Sequence, residues 1–207
     1  MQSASKHVFF DKYAFEVCAY VYEPAEDSFL FAEHLDVKIG TTVLDMGTGT
    51  GILGILAAQH AGSVLSVDVN PFAVRCARRN SQINRAQDNM SFLQSDLFTA
   101  LDKTAKFDQI LFNAPYLPTD NIIEKAWIEH AWTGGTTGRE VIDRFISQAT
   151  AYLGRTGEIM LMQSNLANVE VTISSLKANG MSSEIVVELP LPFFEKLILI
   201  RATFLNK

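Results

Sequence analysis

Four short apolar runs that each finish in a carboxylate or an amide constrain this chain more than any other feature. Thr42–Met46 carries Asp45 and leads into glycines, Val64–Asp68 ends in Asp68, Phe92–Asp96 ends in Asp96, and Phe107–Asn113 ends in Asn113. Helical stretches separate them. Ile52–His60 follows the glycines, and Pro71–Asn84 opens with proline in its first turn, a favoured start. Arg139–Leu153 repeats apolar residues at Val141, Ile142, Phe145, Ile146 and Ala149 with a helical period, and Ala167–Asn179 stops at Gly180. Further strands are expected at Glu158–Gln163, Ile185–Leu189 and Leu197–Phe204. Strands alternating with helices imply an α/β fold, its mainly parallel sheet covered by helices on both faces. Ligands of such sheets bind beyond the carboxyl ends of the strands, so the four polar tips mark the expected site.

Length and charge narrow the reading. The 207 residues suit one domain, 1–207, in which residues 1–21 form an N-terminal extension without a legible motif. The start, MQSASKHVFF, lacks the basic, apolar and cleavage segments of a secretory signal, and no apolar run is long enough to span a bilayer, so a cytoplasmic protein without membrane attachment is expected. A net charge of −6 argues against stable nucleic-acid binding, which needs a basic face. Arg75, Arg78 and Arg79 do cluster, and a solvated helix surface accounts for them. Cys18 and Cys76 lie far apart and are expected to be reduced and structural. No Cys/His cluster has metal-ligand spacing, so no bound metal is expected.

The loop Asp45-Met46-Gly47-Thr48-Gly49-Thr50-Gly51 follows the first strand, and a GxGxxG pattern occurs at Gly49, Gly51 and Gly54. Taken alone that pattern is a weak dinucleotide signal. Asp45 decides against a dinucleotide, because its charge beside a pyrophosphate is unfavourable, and no P-loop lysine follows the glycines. S-adenosylmethionine has no phosphate and carries an ammonium and a sulfonium, both attracted to a carboxylate. Asp68, at the second strand tip, is suited to accept from the ribose hydroxyls. Asp96 is suited to the adenine amino group, with the Leu97 backbone N–H donating to a ring nitrogen. A lone Asp at a strand end is often only a cap, but three at successive tips form a pattern.

Asn113-Ala114-Pro115-Tyr116 follows the fourth run. Here the chain resembles methyltransferases with an (N/D)PP(Y/F) motif, which modify exocyclic amino groups of bases or side-chain amides. The resemblance implies that the Asn113 side-chain oxygen and the Ala114 carbonyl accept both N–H bonds of the target, while Tyr116 stacks on the planar group. An amide nitrogen is a poor nucleophile. Two acceptors stabilise the positive charge it develops, and in-line positioning supplies up to roughly 7–11 kcal/mol. Ala114 departs from the family, where proline is usual, and a less rigid loop is expected.

Two further segments narrow the match. Tyr22-Glu23-Pro24-Ala25-Glu26-Asp27-Ser28 is similar to the YEPAED(T/S) signature of the HemK2/Mtq2-type branch, and Ala131-Trp132-Thr133-Gly134-Gly135 with Gly138-Arg139-Glu140-Val141-Ile142-Asp143-Arg144-Phe145 is similar to its AW-x-GG-x-x-GREV-x-DRF stretch. The resemblance runs from about Val21 to the C-terminus. It implies a single-domain Rossmann-like class I methyltransferase with a mostly parallel seven-stranded sheet. It also implies S-adenosylmethionine as cofactor, held by Ser28, Asp45, Gly47, Gly49, Gly51, Asp68, Asp96, Leu97 and Asn113, with Asn113, Ala114, Pro115 and Tyr116 holding the substrate. The implied substrate is the glutamine of the GGQ motif in a class-1 release factor, and the implied partner is a small zinc-binding activator of the Trm112 type. Two alternatives stay open: a nucleic-acid amino methyltransferase acting on adenine N6 or guanine N2, and a protein lysine methyltransferase. Gly134, Gly135 and Gly138 read as a lid or a rest for substrate peptide, or more plainly as a flexible loop with Arg139 and Glu140 solvated at a helix start. Trp127 and Trp132 read as core or lid packing.

Overall fold

The computed structural model describes residues 6–119 and 127–205; the first five residues of the N-terminal extension lie outside that range. The chain divides between Ala100 and Leu101 into two compact units.

The first unit opens with β1 (Lys6–Phe10) and β2 (Tyr13–Val17), an antiparallel hairpin closed opposite Phe10 and Tyr13 with Asp11 in the left-handed region. The N-terminal extension thus contains regular structure despite its unreadable sequence. There follow α1 (Glu26–Glu33), β3 (Thr42–Met46), α2 (Ile52–Ala57), β4 (Ser63–Asp68), α3 (Pro71–Ile83) and β5 (Met90–Gln94). The three sheet strands are parallel, in the order β5-β4-β3. β3 is apolar apart from its ends and Asp45 because four of its five residues are buried, as parallel strands covered on both faces require. Two expected boundaries move. The helix after the glycine loop stops at Ala57 instead of reaching His60, because the chain must turn for β4: Gly40 N–H donates to the His60 carbonyl (2.9 Å) and Gly62 N–H to that of Thr41 (2.8 Å). The third strand is Met90–Gln94, two residues earlier than Phe92–Asp96, since Met90 pairs opposite Val64 and Gln94 opposite Asp68.

An amide ladder fastens the hairpin to α3. Asn80 donates to the Glu16 carbonyl and accepts from the Glu16 N–H, both at 2.9 Å. Asn84, the C-cap of α3, does the same for Ala14 at 2.8 and 3.1 Å. Alternate residues of a strand are about 6.6 Å apart and helix positions i and i+4 about 6 Å. The helix face 76, 80, 84 therefore meets strand positions 18, 16, 14 in register, and the asparagines act as a substitute neighbouring strand. The third rung is a disulfide between Cys18 and Cys76, with Cα atoms 5.9 Å apart. This corrects the expectation of two reduced cysteines. The 58-residue separation hid a pairing that the ladder imposes. The arginine cluster lies on the exposed surface of α3, as expected: Arg79 pairs with Glu16 (2.7 Å), Arg75 lies over the Phe72 ring and Arg78 over that of Phe92.

The second unit contains β6 (Phe107–Asn113), α4 (Glu140–Ala149), β7 (Leu153–Ser164), α5 (Val169–Ala178), β8 (Met181–Pro190) and β9 (Lys196–Phe204). Its strands run in the order β6-β7-β9-β8; β6 and β7 are parallel, and β9 is antiparallel to both β7 and β8. With the three strands of the first unit these make a mixed seven-stranded sheet of Rossmann-like class, in which β9 is antiparallel to both its neighbours. The apolar stripe expected on α4 is the buried one, Ile142, Phe145, Ile146 and Ala149, and the Phe145 ring packs on Phe112 of β6 at 4.6 Å. Each such aromatic contributes about 1.5–3 kcal/mol by leaving water. The helix is shorter than Arg139–Leu153, because a 3-10 turn at Thr150–Tyr152 closes it and Leu153 already belongs to β7. β8 exceeds its expected span (Ile185–Leu189) because antiparallel pairing with β9 carries it into polar sequence, whereas β7, expected at Glu158–Gln163, begins at Leu153, which lies opposite Phe107 of β6. Among the described residues no helix is long and apolar enough to cross a membrane.

The disulfide closes a loop of 58 residues, for which the chain-entropy model gives a stabilisation of about 4 kcal/mol. Reduction, or Cys76→Ser, is therefore expected to lower the urea-unfolding free energy by about 2–4 kcal/mol, and an equal free energy with and without reductant would contradict this.

Candidate active site

In the first unit the glycine loop is built on a buried carboxyl group. Asp45, 1% exposed, sits in β3 opposite Ser66. Three donors converge on its Oδ2: the Thr48 hydroxyl (2.5 Å), the Gly54 N–H (3.1 Å) and the Ser66 hydroxyl (3.3 Å). Asp45 thus braces the loop from beneath, a role the strand-tip pattern did not indicate. Gly47, Gly49 and Gly51 all take positive φ, so the loop curls back on itself. Gly54 is required for a different reason: a Cβ there would lie 2.7 Å from both Asp45 Oδ2 and Ser66 Oγ. Burial pushes the Asp45 carboxyl up to about 7 against the opposing effect of its three donors.

Asp68 ends β4 and is half-buried. Its Oδ2 accepts from the Gly49 N–H (3.0 Å) and its Oδ1 from the Asn70 N–H (2.9 Å), which ties the second strand tip to the glycine loop. Burial pushes its carboxyl up to about 6. The Val69 N–H is a third donor; a carboxylate has about four acceptor positions, so about one is left for a ligand's hydroxyl. Asp96 lies beyond β5 and not at its tip, and it is exposed. Ser95 N–H bonds the Asp68 carbonyl (3.0 Å), and Leu97 follows Asp96 in the left-handed region at φ 48°. Asn80, unremarked in the sequence, also donates to the Thr50 carbonyl (2.9 Å), so the hairpin clamp and the glycine loop share one side chain. Ser28 lies buried in the first turn of α1, where its N–H (2.5 Å) and hydroxyl (3.1 Å) both donate to Asp27 Oδ1, as does the Tyr22 hydroxyl (3.2 Å). Desolvation and then Asp27 raise the Tyr22 phenol above its ordinary range.

In the second unit Asn113 ends β6 opposite Met162 of β7. Ala114 is buried, and its N–H donates to the Met162 carbonyl at 3.2 Å. Proline could not make this bond. The expectation of a looser loop is therefore revised: a hydrogen bond holds the alanine where a ring holds proline. Pro115 and Tyr116 follow, both half-buried.

The glycine-rich segment forms a rigid strut. Leu117 and Thr133 make a parallel bridge, Leu117 N–H donates to the Trp132 carbonyl (2.8 Å), Gly134 N–H to that of Leu117 (2.9 Å) and Thr119 N–H to that of Gly135 (2.9 Å). Gly138, at φ +73°, packs so closely that any Cβ would collide with the Tyr116 carbonyl. Arg139 departs from the solvated reading, whereas Glu140 is exposed at the helix start as expected. Arg139 is buried; its guanidinium reaches the Ala167 carbonyl, the Asn168 carbonyl (2.9 Å), Thr172 Oγ1 (2.9 Å) and Asp143 (2.6 Å). Glu140 accepts from the Thr136 N–H at 3.1 Å. Trp132 is half-buried and Trp127 more exposed. Among the described residues no three His, Cys, Asp or Glu side chains are grouped as for a metal ion.

An α/β sheet with a glycine loop braced by one strand-tip acid and tied to the next is the framework of class I methyltransferases. The model of the methyltransferase small domain family matches residues 24–184; the chain belongs to that family and is a methyltransferase, a class that uses S-adenosylmethionine as methyl donor. Over 183 residues it is 45% identical to a Methanocaldococcus jannaschii protein with the provisional name protein N5-glutamine methyltransferase, covering 86% of this chain and 90% of that one. It is 32% identical over 172 residues to methyltransferase HEMK2 of Mus musculus, covering 78% and 79% respectively. A chain in the solved structure of the E. cuniculi Mtq2–Trm112 complex, responsible for methylation of the eRF1 translation termination factor, matches with a TM-score of 0.70 and 25% identity over 90% of this chain and 99% of that chain.

Asp45 provides a pH test. Unfolded, it ionises near its ordinary value of 3.8; folded, near 7. Its folded pKa is raised, so its contribution is complete below about pH 4 and is lost as pH rises through 7, a change on the order of 4 kcal/mol. Asp45→Asn keeps a neutral acceptor. The difference between wild-type and variant unfolding free energies, measured in urea from pH 4 to 8, should therefore shift against the wild type as pH rises; a constant difference would contradict the assignment.

Proposed function

We propose that this protein methylates the side-chain amide nitrogen of a glutamine, that of the GGQ loop in a class-1 translation release factor. The observation that carries the reading is the Asn113-Ala114-Pro115-Tyr116 segment at the carboxyl end of β6, held by the Ala114–Met162 bond and the 117–133 strut. The names of the relatives support the choice of glutamine, and the Mtq2–Trm112 match supports a release factor and a Trm112-type activator. The family model spans residues of both compact units, which supports one catalytic domain.

In this reading Ser28, Asp45, Gly47, Gly49, Gly51, Asp68, Asp96, Leu97 and Asn113 hold S-adenosylmethionine. Two acids at the glycine loop suit its cationic groups, and the remaining acceptor position of Asp68 suits a ribose hydroxyl. When bound, the cofactor supplies an electrophilic methyl group on a sulfonium. Asn113 Oδ1 and the Ala114 carbonyl each accept one N–H of the amide, which turns the nitrogen lone pair toward that methyl. The Tyr116 ring stacks on the planar amide. Both acceptors stabilise the positive charge that builds on nitrogen during attack. The methylated nitrogen then releases its proton readily, so no strong base is needed. A nucleic-acid amino group would fit the same four residues, but a chain with net charge −6 offers phosphates little.

The test is methyl transfer from labelled S-adenosylmethionine to a release factor, its GGQ→GGA variant, DNA and RNA, with a Trm112-type subunit present. Label on the factor alone, lost in GGA, is expected; label on nucleic acid instead would refute the reading. Asn113→Ala should lower turnover by at least about 100-fold while the cofactor still binds by calorimetry, and unchanged turnover would remove Asn113 from its role.

A further inference from the structure

The turn between β8 and β9 holds the most exposed large apolar side chains among the described residues. Phe193 and Phe194 are each 97% exposed, and both occupy the left-handed region, at φ 63° and 65°. Bulky residues adopt that conformation at a cost. The turn is nonetheless firmly held. Leu191 N–H donates to the Glu195 carbonyl (2.8 Å), and Asn165, which follows the last residue of β7, accepts from the Lys196 N–H (2.7 Å) and donates to the Phe194 carbonyl (3.2 Å). Nothing in the second unit gains from this arrangement, since it presents two rings to water.

The strand register says where the rings are aimed. Met162 of β7 lies opposite Asn113 on one side and Leu199 on the other, Ser164 lies opposite Leu197, and Lys196 pairs with Pro190. The turn therefore projects past the same end of the sheet as Asn113–Tyr116, two strands away at about 4.8 Å per strand and about 10 Å further out at Lys196. Leu166, half-exposed beside Asn165, extends the apolar surface toward β7. The charges nearby do not suit phosphates: Lys196 is paired with Glu188 (3.1 Å), and Glu195 adds a negative charge. A second copy of the chain seated here would crowd the edge that a substrate must approach.

The geometry points to a docking ledge: Phe193 and Phe194 receive an apolar surface of the folded protein substrate, outside the loop that carries the modified glutamine. This rests on the proposed glutamine transfer to a protein. The ledge supplies affinity remote from the reacting atoms and leaves the amide grip unchanged, so it acts on substrate KM and not on turnover at saturation.

The test is steady-state transfer to a folded class-1 release factor by wild-type enzyme and the Phe193→Ser/Phe194→Ser double variant, each with its Trm112-type subunit. Both side chains are in solvent, so folding is unaffected, which cofactor binding by calorimetry checks. The expected result is a KM for the factor raised by at least about tenfold, with kcat within about twofold. An unchanged KM, or a fall in kcat alone, overturns the ledge while leaving glutamine transfer intact. Conversion of a dimer to a monomer by light scattering at constant KM overturns it in favour of self-association. If the wild type labels nucleic acid and not the factor, the glutamine reading falls and the ledge with it.

Discussion

The first unit depends on one buried carboxyl group. Asp45 is withdrawn from water inside β3, and the glycine loop closes over it through Thr48, Gly54 and Ser66. A buried carboxyl left unsatisfied would cost several kcal/mol, so the three donors are a condition of the fold. Their spacing fixes where the loop runs. The loop in turn gives its Gly49 N–H to Asp68 and its Thr50 carbonyl to Asn80, so the second strand tip and the N-terminal hairpin are aligned from the same point. Because burial pushes the carboxyl up to about 7, the brace is poised between charged and neutral forms near neutrality.

The second unit solves a parallel problem with backbone bonds. Asn113 must be presented at a strand end without a rigid pair of prolines behind it. The Ala114 N–H, the Leu117–Thr133 bridge and the close seat of Gly138 on the Tyr116 carbonyl hold the segment from three sides. Arg139 then secures the strut to the corner between β7 and α5. Gly134, Gly135 and Gly138 read in sequence as a lid or a flexible loop; here backbone bonds tie the first two to 117–119, and Gly138 is seated on the Tyr116 carbonyl.

How much was legible in the sequence varies with the kind of interaction. Apolar runs ending in polar residues identified β3, β4 and β6 together with Asp45, Asp68 and Asn113, because parallel strands buried on both faces keep most of their polar residues near their ends. The stripe on α4 and the proline start of α3 were equally readable. Features that rest on a tertiary partner were not. Asn80 and Asn84 look like solvent-facing helix residues until β2 lies beside them, Cys18 and Cys76 look unrelated across the chain, and Arg139 looks solvated until Ala167 and Thr172 surround it. Strand ends moved where pairing with a neighbour, and not hydrophobicity, sets the length, as in β7 beside β6 and β8 beside β9.

In the proposed transfer the methyl group ends on an amide nitrogen of a protein. Fragmentation mass spectrometry of a release factor after reaction locates the added group directly. A single methyl on the side-chain nitrogen of the glutamine in GGQ is expected; a methyl on a lysine, or on any backbone or side chain outside that glutamine, would contradict the transfer.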